Sequence, residues 1–367
     1  MRNRSVKRRQ DSRRGATLLL AMLLAVGMLG VIALAVDVGH MVLARTQLQV
    51  SADSAAMAAA AANMSEPWNQ VLATATQYAN YHQAGGKPVD LQPNDVESGI
   101  WNAELRRFMP SSYATNAVRV TTRRDQNSGG TSPLFFARIF GPDGCNLRTE
   151  AVAAYADNFS GFTPHEGGNL PILPIAVPID TWKDLMEQRG DDKWTVDPSS
   201  HEVSLGWDGK TELSIYPQNS GSADQNGLIS IGGKKGTKAL GQQIVDGVSP
   251  KDLEPFGGSL KLGPDGTLKL DGVPGLHAGL KHYLSDILGQ PRIIPLYASL
   301  EGRSHGAEYT IVQFAAVTLV EVDLTGSKHS NKRVVVQPTS LVTHDGIPSD
   351  APDPQSYSIF SPVRLVR

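Results

Sequence analysis

Ala16 to Val36 is a run of 21 side chains without a charge. At about 1.5 Å of rise per residue a helix of that length reaches roughly 30 Å, the hydrocarbon thickness of a bilayer. The run reads as a transmembrane helix, with Leu18, Leu24, Leu29, Ile32 and Val36 among its lipid-facing anchors. The arm before it, residues 1–15, holds the basic residues Arg2, Arg4, Lys7, Arg8, Arg9, Arg13 and Arg14 against the single acid Asp11. Positive flanks stay cytoplasmic, so the expected topology is single-pass, with the N-terminus inside and everything after Asp37 across the membrane. Ala33-Leu34-Ala35 offers the rival reading, a cleaved secretory signal. The run exceeds the 7–15 residues of a usual signal core, which favours the anchor, and both readings export the rest of the chain.

Some 330 exported residues are enough for two domains, each with its own core. The whole chain carries −2 and the arm +6, which leaves −8 on residues 16–367. An acidic exported part excludes nucleic acid as an expected partner. One cysteine, Cys145, permits no intrachain disulfide, and a buried thiol is its expected state. Stability then rests on packing or assembly.

From His40 to Asn63 the chain has no Pro or Gly and ends in an alanine block, so the membrane helix is expected to continue outward as one rod. Its small side chains allow close approach of another helix. The plain reading is an extended stalk or a helix covering its own domain, and the sharper one a helix that packs against equivalent helices in a filament or complex. The sharper form names Asp37, Gln47, Gln49, Asp53, Ala55 and Ala59 as packing or interaction candidates. For Asp37 the plain reading is a carboxylate in the headgroup layer, and the functional one a pairing with a cation on a neighbouring subunit; Asp53 faces the same choice.

A second helix is expected over Trp68–His82, strands over Val96–Asn102 and Ala117–Thr122, a short helix over Leu134–Phe140 and a strand over Ala151–Ala156. Beyond a Pro- and Gly-rich connector, short apolar runs alternate with turn dipeptides. Strands are expected at Trp194–Val196, Glu202–Leu205, Leu213–Tyr216, Leu228–Ile231, Leu260–Leu262, Leu268–Leu270, Ile293–Tyr297, Tyr309–Phe314, Val317–Val322 and Val334–Val336. Helices are expected at Thr181–Gln188, Lys238–Asp246 and Gly279–Leu288. The fold class is α+β: a transmembrane helix continuing into a pilin-like long helix with a small sheet, then a β-rich α+β domain. The boundaries read 1–15 arm, 16–36 span, 37–160 helix and small sheet, 161–345 β-rich domain, 346–367 tail.

No H-E-x-x-H, C-x-x-C or G-x-S-x-G occurs. Gly227 to Lys235 has Gly233 where a phosphate loop needs Lys, and a strand with a glycine turn is preferred. Asp224-Gln225-Asn226-Gly227 reads as a turn rather than a calcium loop. Histidines 165, 201, 277, 282, 305, 329 and 344 are scattered among loops, and the five-residue spacing of His277 and His282 misses the one-face spacing of metal ligands. Arg189-Gly190-Asp191 is expected to be a turn. The chain is thus expected to be no enzyme, with no cofactor or metal.

Arg14-Gly15-Ala16, the apolar span, Asp37-Val38-Gly39, Arg45-Thr46-Gln47-Leu48-Gln49 and Ala52-Asp53-Ser54-Ala55-Ala56 together resemble the N-terminal module of TadG-like and TadE-like proteins of the bacterial tight adherence (Tad, Flp pilus) assembly system. Asn116–Arg123 and Pro133–Gly141 are similar to segments that follow it. The resemblance implies a single-pass protein of the inner membrane with its bulk in the periplasm, partnered by pilin-like or Tad assembly proteins and associating as a homo- or hetero-oligomer through the N-terminal helix. Leu20 stands five residues after Gly15, where processed pilins carry Glu, which implies an uncut anchor. Asp197-Pro198-Ser199-Ser200-His201 lacks the last Ser of the D-x-S-x-S metal motif that some relatives carry. Two other classes stay open: an anchored periplasmic binding protein using the β-rich domain, and an exported hydrolase whose residues form no local motif.

Overall fold

The structure is a computed structural model describing residues 6–113, 115–165, 167–216, 227–274, 278–302, 306–324, 332–349, 351 and 353–366, with the side chains of 6–15, 140 and 278 left aside. Asp224 to Asn226, His277, His305, His329 and the arm's side chains lie outside the described residues. The chain forms two compact units, Met1–Ala154 with Val363–Arg367, and Tyr155–Pro362.

The first unit is built on helix α1, Val6–Ala62, 57 residues long. Beyond residue 40 its apolar positions recur at helical period: Ala44, Leu48, Ala52, Ala55, Ala56, Ala59 and Ala60 are buried on one face. Helix α2, Trp68–Asn80, buries Val71, Ala75 and Ala79, three positions four apart. It stops two residues short of His82 because Tyr81 already serves as its C-cap. An antiparallel sheet packs on α1: β1 Val96–Asn102, β2 Arg107–Pro110, β3 Ala117–Arg124 and β4 Leu147–Ala154, with the distant strand Arg364–Val366 laid against β4. Val118, Val120 and Thr122 alternate onto the α1 face, where the Thr122 hydroxyl donates to the Leu48 carbonyl at 2.9 Å. Strands also form within residues 346–366, and β3 and β4 run past their expected bounds to Arg124 and from Leu147.

The second unit is organised by one long strand. β5 Phe159–Phe162 and β6 Val177–Pro178 precede α3, Ile179–Met186, and β7, Leu213–Tyr216; α4 Thr237–Asp246 and α5 Lys281–Ser285 precede β8 Pro291–Glu301, β9 Glu308–Asp323 and β10 Arg333–Pro338. β9 carries 16 residues, where the sequence pattern suggests two strands broken at Ala315-Ala316. Both alanines are fully buried, and small apolar residues do not interrupt a ladder covered on both faces. One edge of β9 pairs with β8; the other is shared in turn by Leu268–Asp271, Ser356–Tyr357 and β10. Ser356–Tyr357 pairs parallel to β9, and β6 parallel to β8.

The register of β8 on β9 slips between Leu296 and Tyr297, leaving Val312 as an extra residue. A bulge of this kind turns the following side chains over. Tyr309 and Ile311 therefore join Phe314 and Ala316 in one core, with Phe159, Phe162 and Ile229, while Ala315, Val317 and Leu319 face another, covered by α3, α4 and α5 through Trp182, Leu240 and Leu284.

Burial pushes the Asp157 carboxyl above the usual carboxylate range, against a weaker pull from its own backbone N–H. Such a group opposes folding once pH exceeds the unfolded value, about 4. Asp157→Asn is therefore expected to stabilise the second unit at pH 7 and to leave it unchanged at pH 3, as read from denaturation midpoints of the full chain. Equal midpoint shifts at both pH values would remove the charge from the explanation.

Candidate functional site

From Ala16 to Val36 the described side chains of α1 are exposed, apart from the half-buried Ala33. Leu18, Leu24, Leu29, Ile32 and Val36 are 45–73 % exposed, and Met22, Val26, Val31 and Leu34 point to other sides of the same helix and are exposed as well. An apolar surface of that extent around a whole helix is the surface that a lipid-facing segment presents. The helix is long and apolar enough to cross a membrane.

Farther along, the candidates named for partner contact are spent inside the unit. Ala55 and Ala59 are fully buried against the unit's own elements. The physical reason is that an alanine face admits a second helix closely, and α2 and the sheet take that place. Gln47 accepts from the Gly85 N–H at 2.9 Å. Gln49 donates to Asp53 at 2.8 Å, within the same helix, and to the Glu150 carbonyl on β4 at 3.1 Å. Ser51 adds a bond to the Ala79 carbonyl at 3.2 Å, closing the contact with α2.

What α1 leaves open is the opposite face. Val36, Leu43, Val50 and Met57 recur every seven residues and are 43–55 % exposed. A seven-residue apolar repeat drifts slowly around a straight helix, the pattern a wrapping partner helix follows. None of these outside Val36 is among the candidates drawn from composition, and the signal that finds Leu43, Val50 and Met57 is the spacing itself.

Asp37 is only 3 % exposed, its carboxylate engaged within its own unit. Its carboxylate accepts the backbone N–H groups of Phe135 at 2.7 Å, Phe136 at 3.1 and 3.2 Å, and Ala137 at 2.7 Å. A carboxylate receiving three successive amides acts as a cap, here for a turn nearly a hundred residues away. It also explains why Leu134–Phe140 is not one helix: the amides of residues 135–137 bond to Asp37, and only Ala137–Phe140 forms a 3-10 turn. The segment is closed at its base by the ladder Ser132–Pro133 with Gly144–Cys145, and Leu134 is buried beneath it. Cys145 is half-buried there rather than buried, and desolvation pushes its thiol up against a weaker pull from its own backbone.

Among its described residues the second unit presents no comparable feature. An open groove of about 560 Å³ is lined by His165, Pro171, Pro291, Leu341, His344 and Asp345, with the two imidazoles stacked at 6.3 Å. Among the described residues no three His, Cys, Asp or Glu side chains gather as a metal site. The glycine-rich stretch 227–235 turns at Gly232, whose φ of +68° and contact with the Asp252 backbone exclude a side chain, and Lys234 pairs with Asp252 at 3.5 Å. The Asp197 carboxylate accepts the Ser199 and Ser200 amides in a tight turn, and these bonds, with a smaller opposing effect of burial, hold it below its ordinary range. Arg189 pairs with Asp184 at 2.9 Å and Glu187 at 2.7 Å, and Asp191 with Lys193, as a solvated turn does.

Two family models match the chain. Residues 15–62 match one described as putative Flp pilus-assembly TadE/G-like, and residues 58–153 one described as putative Tad-like Flp pilus-assembly. The two matches meet inside α1 and cover most of the first unit. No curated protein and no solved structure matches the chain.

Proposed function

We propose that this chain, a TadG/TadE-like Tad pilus assembly protein by its first 153 residues, is a structural component anchored in the bacterial inner membrane, with its N-terminus in the cytoplasm and both units in the periplasm. Leu18, Leu24, Leu29, Ile32 and Val36 hold the anchor in lipid. The observation that carries this reading is the change of surroundings along one unbroken helix: apolar and largely exposed from Ala16 to Val36, clamped on one face by its own unit after Asp37. A helix held that way transmits position from bilayer to domain and keeps one face for assembly. Leu43, Val50 and Met57 on that face are the surface for a pilin-like partner helix or a second copy of this chain. The chemistry is packing, and no residue is assigned a catalytic role.

Serine at Leu43, Val50 and Met57 together should reduce co-purification of pilus-assembly partners from membranes at least tenfold. Because exposed positions tolerate substitution to within about 0.5 kcal/mol each, thermal unfolding of the protein should hardly move. Undiminished partner recovery would sink the assigned face. Protease accessibility in spheroplasts with N-terminal sequencing tests topology separately: digestion of the bulk only after the outer envelope is opened is expected.

A further inference from the structure

The turn held by Asp37 carries three large apolar side chains that its own unit does not cover. Phe135 is 49 %, Phe136 41 % and Ile139 76 % exposed, with the exposed cation Arg138 between them. Segments of a soluble surface do not ordinarily cluster two phenylalanines and an isoleucine within five residues. Their height is what gives the cluster meaning. Asp37 is the first charged residue after the uncharged run, and its carboxylate fixes the amides of residues 135–137 by direct hydrogen bonds. The turn is also stapled edge-to-face to α1, with the His40 ring 5.1 Å from that of Phe135 and close to perpendicular to it. It therefore stands at the axial level where the span leaves the hydrocarbon. On each side of a bilayer the interfacial layer is about 5–8 Å deep, comparable with the reach of a side chain.

We infer that Phe135, Phe136 and Ile139 form a second membrane contact, inserting into the outer interfacial layer of the bilayer that the α1 span crosses, with Arg138 reaching the lipid phosphates. The occupant is lipid because the patch is continuous with the span. A turn fixed at that height meets headgroups and upper acyl chains before it meets anything else, and phenyl and branched aliphatic groups are the side chains that interfacial segments bury there. The cation beside them suits anionic headgroups. A span alone leaves α1 free to rotate about its own axis and to tilt. A second contact on one side of it fixes which way the Leu43, Val50 and Met57 face points. This inference rests on the membrane-anchored reading above.

The test is a nitroxide depth measurement on the full chain in vesicles of phosphatidylethanolamine and phosphatidylglycerol, in a Cys145→Ser background. Labels are placed singly at Ile139→Cys, at Leu29→Cys within the span and at the exposed Tyr113→Cys. The ratio of oxygen to nickel-chelate collision rates should be several-fold higher at 139 than at 113, and higher still at 29. Adding Asp37→Ala, which frees the turn, should bring the 139 ratio down toward the 113 value while leaving 29 unchanged. Phe136→Cys provides a second reporter should a label at 139 disturb the turn. A lipid-like ratio at 29 with a water-like ratio at both 139 and 136 overturns this inference and leaves the anchor standing. A water-like ratio at 29 overturns the anchor, and the inference with it. A lipid-like ratio at 139 that survives Asp37→Ala overturns the role given to Asp37.

Discussion

Leucine at both Ala55 and Ala59 is expected to unfold the first unit while the second keeps its structure. Both positions are fully buried on the face of α1 that its own unit covers, and α2 likewise buries Ala75 and Ala79. Adding an isobutyl group to a packed site costs about 1–3 kcal/mol, so the pair together removes roughly 2–6 kcal/mol from a domain whose total stability is of the order of 5–15. Hydrogen exchange on the full chain in detergent is the direct readout. Amides of β3 and β4 should lose their protection, whereas those of β8 and β9 should keep it. If β3 and β4 stay protected and only partner binding fails, the alanine face belongs to assembly after all.

The second large effect is expected at Phe314. It is fully buried near the middle of β9, with its ring edge-on to Phe162 at 5.2 Å, and it lies beside the bulge that brings Tyr309 and Ile311 into the same core. Truncating a buried phenylalanine to alanine costs about 3–5 kcal/mol, because the cavity cannot collapse around a strand paired on both edges. Phe314→Ala should therefore lower the denaturant midpoint of the second unit sharply, with exchange rising in β8, β9 and β5 together. The first unit, with its separate helical core, is the internal control. A loss below about 1 kcal/mol would mean that the core around Phe162 repacks, which its T-shaped geometry argues against.

Much of the first unit is legible in the sequence because its signals are local. The uncharged run, the helical period of Val71, Ala75 and Ala79, and the alternation in Val118, Val120 and Thr122 each lie within a few residues. Strands Val96–Asn102 and Leu213–Tyr216 coincide with their apolar runs. What composition leaves unsettled is which of two faces of α1 its own unit takes. Alanine richness says that something approaches closely there, and only the distant pairing of α1 with α2 and the sheet says what. The role of Asp37 is illegible for the same reason, since its partners lie about a hundred positions along the chain and are backbone amides with no side-chain signature. Two short apolar runs around Ala315-Ala316 look like two strands because alanine marks a weak strand former, whereas burial on both faces joins them.

The strand Arg364–Val366 has a temporal consequence. It hydrogen-bonds to β4 through Ala154, Ala153 and Val152, yet more than two hundred residues of a separate unit are translated between them. During that interval the flank of β4 is an open row of amide and carbonyl groups, the kind of template that recruits stray chains. Closure of the sheet is thereby tied to delivery of the second unit. Any product broken off inside residues 155–362 would carry a sticky margin, a ready mark for quality control of incomplete subunits.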